Sequence, residues 1–265
     1  MSMITLIRTE FLKLRRCPIL LVGIVAMTLC PPVQLASQYA LNEELRNPHF
    51  DLPALMNATI WGNAQVFLPI SLAMIGGYMM NREYQDDTLK QALCVPVPFG
   101  RLIAGKLLCT GLLAACFAAY SFLVTVATGL VAGLSGFGVA ALAKGYVQLT
   151  VTALGSFIAC SPVIVLAGAI PGAYLAGSVA AFLLGYAVLF FKGGLLRNVY
   201  PFLAAFAVAG FDTADFNGAK EAASLPMAVI SLTVTLLVTV LLACAARPPQ
   251  ARERRAKKPS RRIER

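Results

Sequence analysis

From Gly145 to Phe191 the chain runs for 47 residues without an Asp, Glu, Lys, Arg or His. As one straight helix, at ~1.5 Å per residue, that run would measure roughly 70 Å, more than twice the ~30 Å hydrocarbon core of a bilayer. It has to fold back on itself. The one strong turn signal near its middle is Gly168-Ala169-Ile170-Pro171-Gly172. Leu107–Ala143, 37 uncharged residues, is likewise too long for one crossing; it predicts a span to about Leu130 and a Gly-rich connection ending at Lys144. Charged residues make up 13% of the chain, against roughly a quarter in soluble domains, and mean hydropathy is +0.76. The expected fold is an all-α polytopic membrane protein. Six spans are expected, at about 19–40, 60–80, 107–130, 146–167, 172–191 and 226–246, in one domain covering 1–246. A basic, disordered tail, 247–265, is expected to follow.

Punctuation inside the spans is informative. Pro31-Pro32 is expected to interrupt the first span, and Pro69 to kink the second. Trp61 would anchor the outer end of that second span at the membrane interface. Gly129-x-x-x-Gly133 and Gly168-x-x-x-Gly172 have the small-residue spacing that lets helices approach closely, within the chain or between copies. Tyr200–Phe211 is apolar for only 12 residues, too short to cross but suited to a re-entrant or interfacial helix pair.

Orientation follows from the cations. Seventeen of the 22 Lys and Arg fall before the first span, between the second and third, or in the tail, which alone holds nine. Six spans with both termini in the cytoplasm satisfy the positive-inside rule, whereas seven would export the tail. Arg8, Lys13, Arg15 and Arg16 precede an apolar run of full spanning length, so the N-terminus does not read as a cleavable signal peptide.

Two cytoplasmic segments show helical design. In Met1–Arg16, Ile4, Ile7, Phe11 and Leu14 form one stripe, flanked by Arg8 and Arg15, whose long stems can cover apolar surface while their charges reach phosphates. This is an interfacial helix or, compatibly, a positive-inside anchor. Between the second and third spans lies Asn81–Lys106. Within it, Glu83–Leu93 lacks Gly and Pro and can set Tyr84, Leu89, Ala92 and Leu93 on one face. Glu83, Asp86, Asp87 and Lys90 then lie mostly elsewhere. A surface helix stopped by Pro96 and Pro98 is expected, or else an ordinary solvated connection.

This central segment resembles a known one. Glu83-Tyr84, Thr88-Leu89-Lys90, Leu93, Pro96-Val97, Arg101 and Lys106-Leu107-Leu108 look like the first cytoplasmic loop of ABC-2 type permeases. The nearest likeness is to the short permeases of bacitracin-resistance and lantibiotic-immunity exporters. The resemblance extends loosely to Glu10-Phe11-Leu12-Lys13-Leu14 and to the spacing of the spans. It implies that Glu83, Tyr84, Asp87, Thr88, Leu89, Lys90 and Leu93 form a coupling helix seated in a separately encoded ATPase, with the N-terminal helix helping to hold it. It further implies two ATPase copies, a second permease (identical or homologous), and a peptide or drug cargo cleared from a bacterial cytoplasmic membrane. ATP and Mg would be bound by the partner, with no cofactor in this chain. A non-transporting sensor or scaffold bound to such an ATPase is the alternative.

Other chemistries find little footing. Gly100–Lys106 has the G-x-x-x-x-G-K spacing of a phosphate loop, but Leu107 stands where the Mg²⁺-binding hydroxyl belongs. Leu134-Ser135-Gly136-Phe137-Gly138 resembles an ABC signature without an ATPase around it. One His and seven scattered Cys supply neither a zinc set nor a His-centred triad, so no catalytic or metal residues are expected. The proposed spans carry no ionisable Asp, Glu, Lys, Arg or His, which disfavours ion coupling and favours external power. A basic tail joined to six spans does not read as a nucleic-acid binder.

Overall fold

The computed structural model describes residues 3–14, 17–41, 49–85, 99–218 and 223–246. Among them every regular element is a helix. A short α1 (Met3–Leu14) precedes α2 (Ile19–Ala40). The next helix is α3 (Leu52–Gly62), which passes through a π-turn (Asn63–Phe67) into α4 (Leu68–Gln85). Then come α5 (Phe99–Val131), α6 (Val139–Gly168) and α7 (Tyr174–Tyr186), the last extended by a 3-10 turn to Phe190. Three short helices, α8 (Gly194–Val199), α9 (Pro201–Val208) and α10 (Ala214–Asn217), lead to α11 (Leu225–Ala245). Five of these helices are long and apolar enough to cross a membrane, and Tyr174–Phe190 is a shorter sixth. This is a multi-pass membrane protein.

The continuous α3–α4 rod is the axis of the bundle, packed against α2, α5, α6 and α7, while α2 and α11 leave most of their apolar surface outward. Lipid tails are as apolar as Leu, so close helix contact depends on small residues. A Cβ at Gly76 would lie 2.8 Å from Ile164, and one at Gly155 would lie 2.5 Å from the Cβ of Ala205. The two small-residue repeats divide their labour differently from the expected packing face. Gly129 and Gly168 do meet Leu52 and Met80, but a Cβ at Gly133 (φ +67°) or Gly172 (φ +79°) would meet nothing; both take left-handed backbone in turns, Gly133 just past the end of α5 and Gly172 between α6 and α7.

Pro31 and Pro32 do not break the first span: α2 continues through both. Proline leaves carbonyls one turn back without their donors, which a membrane helix tolerates where neighbours pack against it; Cys30 and Pro31 are buried. In the second span the expected Pro69 kink takes a defined form. Pro69 has no N–H to give Gln65 O, and the turn before it widens, with Leu68 N donating to Asn63 O. Gly185 allows the Gln65 carbonyl a close approach to α7, since a Cβ there would sit 2.4 Å from it.

Helices α8–α10 form a cap over one end of the bundle, with Phe202 to Phe206 of α9 buried against α6. Trp61 is not an interface anchor. It is 7% exposed and lies between Phe206 (centroids 5.2 Å) and Phe216 (5.1 Å), because the cap covers the position that lipid head groups would otherwise occupy.

Candidate functional site

At the opposite end of the bundle α4 runs out toward residues 86–98, and its last turns are tied to several other elements. Helix α5 starts at Phe99, so Arg101 and Lys106 belong to a helix rather than to a loop. Lys106 is 4% exposed, and its Nζ donates to Glu10 Oε2 at 3.0 Å and to Met79 O at 2.9 Å. One ammonium thereby joins α1, α4 and α5. Glu10 is also buried and accepts from Lys13 Nζ at 2.9 Å. Burial alone would raise its pKa, but Lys106 and Lys13 together hold the carboxyl below the ordinary glutamate value.

One turn further on, Arg82 Nη1 donates to Lys13 O (3.4 Å) and to Cys17 Sγ (2.8 Å). Asn81, fully buried, ties α4 to the far side. Its Nδ2 donates to Gly77 O (3.1 Å) and to Ala167 O (3.3 Å), and its Oδ1 accepts from Gly172 N (2.6 Å) across the α6–α7 turn. The Met79–Arg82 turn thus holds α1, α5 and the α6–α7 turn at once. Such an arrangement can pass a displacement of the 86–98 segment into the spans.

The predicted α1 stripe meets this junction at an angle. Leu14 is buried, Ile7 and Phe11 are half-buried, and Ile4 is 79% exposed; the docked face is Leu6, Glu10 and Leu14. Leu6 lies on Gly105, where a Cβ would be 1.9 Å from its Cδ2. Glu83 and Tyr84 continue the backbone of α4, which ends at Gln85. Their side chains, and the whole of Asp87, Thr88, Leu89, Lys90 and Leu93, lie outside the described residues, as does Arg15. Sequence reading missed Glu10, Asn81 and Lys106 as a joined set. The available signals were the one acidic residue in a basic helix and a lysine directly preceding a 37-residue uncharged run.

A second polar feature lies within the bundle. The contacts Met56–Gly145, Gly76–Ile164 and Met80–Gly168 keep α3–α4 and α6 in parallel at an offset of 88 or 89 positions. Thr152 and Ser156 are therefore level with the π-turn at Asn63–Phe67. Asn63 Nδ2 donates to Ser121 Oγ at 2.8 Å, but Asn63 Oδ1, Gln65 Nε2, Thr152 Oγ1 and Ser156 Oγ are buried without a partner. Unmatched groups at mid-membrane cost about 1–3 kcal/mol each, so this level suits a hydrogen-bonding guest such as water. Among the described residues no His, Cys, Asp and Glu cluster could hold a metal ion.

The described residues thus form an all-helical bundle of long apolar spans, with a basic N-terminal helix locked beside the exit of the second span. The family model described as ABC-2 family transporter protein matches residues 6–188, and the chain belongs to that family. It is also similar to the bacitracin transport permease protein BCRB of Bacillus licheniformis, at 30% identity over 105 residues. That match covers 38% of this chain, and the chain spans half the length of that relative.

Proposed function

We propose that this chain is the permease subunit of an ATP-driven exporter that clears a bacitracin-like or lantibiotic peptide, or a comparable amphipathic drug, from the cytoplasmic membrane. ATP hydrolysis belongs to a separate partner, two copies of which grip the Glu83–Leu93 segment and α1 of paired permeases. The observation that carries this reading is the junction at Met79–Arg82. A push on the 86–98 segment meets a helix end bonded to Lys106, and through it to Glu10, on one side and to the α6–α7 turn on the other. Family membership supports the transport class, and the likeness to a bacitracin transport permease of Bacillus licheniformis supports the cargo class.

The test is co-expression with the cognate ATPase in a sensitive bacterium. Survival against a membrane-active peptide should rise and cell-associated peptide should fall. An ATPase variant unable to hydrolyse ATP should abolish both effects. Survival that rises equally with the inactive ATPase, without loss of cell-associated peptide, would instead identify a sensor or sequestering subunit.

A further inference from the structure

Three charged side chains are buried among the described residues: Glu10, Lys106 and Arg197. The first two neutralise one another. Arg197, on α8 in the cap, is 5% exposed and donates from Nη2 to Thr213 Oγ1 at 3.1 Å, while Nε and Nη1 have no hydrogen-bond partner. No carboxylate of the described residues forms an ion pair with it. A buried lysine or glutamate can shed its charge by changing protonation, but a guanidinium cannot. Burying an ion without a counter-charge is destabilising even after the surroundings relax. The cap thus encloses a permanent cation with two of its three nitrogens unused.

The surroundings narrow what would complete it. Thr213 and Asn217, each 4% exposed, are the other buried polar residues of the cap, and Phe216 between them in the chain stacks on Trp61 and meets Phe211. Next to Arg197 on the same short helix, Leu195 and Leu196 are 67% and 64% exposed, an apolar surface in a membrane protein. A cation flanked in the chain by exposed leucines at the end of a lipid-embedded bundle matches an amphiphile: an oxyanion for the guanidinium and hydrocarbon for the leucines. Phosphate offers several acceptor oxygens on one tetrahedral centre and can meet diverging N–H groups together with the Thr213 hydroxyl.

We propose that Arg197, with Thr213, is a binding site for a phosphate-bearing head group at the cap end of the bundle. In the orientation read from the cations this is the outer leaflet, but the site itself does not depend on that orientation. It is independent of the junction at Met79–Arg82, so a failure of one leaves the other standing.

The experiment uses the full chain, purified and delipidated in detergent, with thermal unfolding and native mass spectrometry as readouts. Without lipid, Arg197→Met should melt above the wild type, because an unpaired buried charge has been removed. Adding dioleoyl phosphatidylglycerol should raise the wild-type melting temperature and leave bound lipid in the mass spectrum. Arg197→Met should bind it at least tenfold more weakly, and Thr213→Val should be intermediate. Dioleoylglycerol, with the same chains and no phosphate, should do neither. Inorganic phosphate or pyrophosphate giving the same shift at equal concentration would assign the site to the free anion. Equal phosphatidylglycerol binding by wild type and Arg197→Met, or equal effects of dioleoylglycerol, would overturn the proposal.

Discussion

Replacing Glu10 with Gln tests whether α1 is locked to the bundle or merely lies beside it. The substitution keeps shape and removes the charge that faces Lys106 Nζ at 3.0 Å and Lys13 Nζ at 2.9 Å. Lys106 is 4% exposed, and breaking a buried pair by removing one partner costs about 3–5 kcal/mol. Because the spans can stay folded, the loss should appear as local opening of α1 rather than global unfolding. At 1.36 kcal/mol per tenfold change, about 3 kcal/mol raises the opened population roughly 150-fold. Hydrogen–deuterium exchange of the α1 amides in nanodiscs should therefore accelerate by about two orders of magnitude, with α6 unchanged. The Glu10→Gln/Lys106→Gln double variant should lie closer to wild type than the sum of the singles. Unchanged exchange in Glu10→Gln, or strict additivity of the two, would refute the lock.

The same carboxyl makes the lock pH-sensitive in one direction. Its pKa is depressed in the folded state, so its contribution is complete above about 4.3, the ordinary glutamate value, and fades as pH falls through the lower folded value. Exchange of α1, corrected for intrinsic rates, should be flat from pH 7 to about 5, rise below about 4, and lose that rise in Glu10→Gln. Asn81→Leu removes the link to Gly172 N and should cost about 1–3 kcal/mol, read as faster exchange in the α6–α7 turn and as weaker cargo-stimulated hydrolysis by the partner ATPase. Gly155→Ala drives a Cβ to 2.9 Å from the backbone Cα of Ala205, which cannot swing aside. It should destabilise the cap by about 1–3 kcal/mol in thermal unfolding, whereas Gly138→Ala, with open space around it, should not.

What the sequence made legible was governed by length and charge. Uncharged runs too long for one crossing imply the hairpin at Gly168–Gly172, and α6 does end at Gly168. The Tyr200–Phe211 stretch, too short to cross and expected as a re-entrant or interfacial helix pair, holds the single short helix α9. The extent of α5 was less legible: a lysine marks a helix end by hydropathy, yet Lys106 lies within α5 because Glu10, 96 residues away in the chain, meets it there. Local pattern carries no information about that pairing. The α1 face shifted for the same reason: an apolar stripe identifies Ile4 and Ile7, but Gly105 selects Leu6 by making room for it. Trp61 looked like a membrane anchor because its aromatic partners, Phe206 and Phe216, arrive from the far end of the chain.

That enclosure gives the protein a built-in optical probe. Trp61 is the chain's single tryptophan, so all indole emission comes from one ring held between two phenylalanines. A ring so sheltered emits as if in hydrocarbon and is hidden from aqueous quenchers, while lifting of the cap would expose it to water or head groups. Opening and closing of that end of the bundle can therefore be followed in real time, in unlabelled protein, as a change in colour and quenching of its own fluorescence.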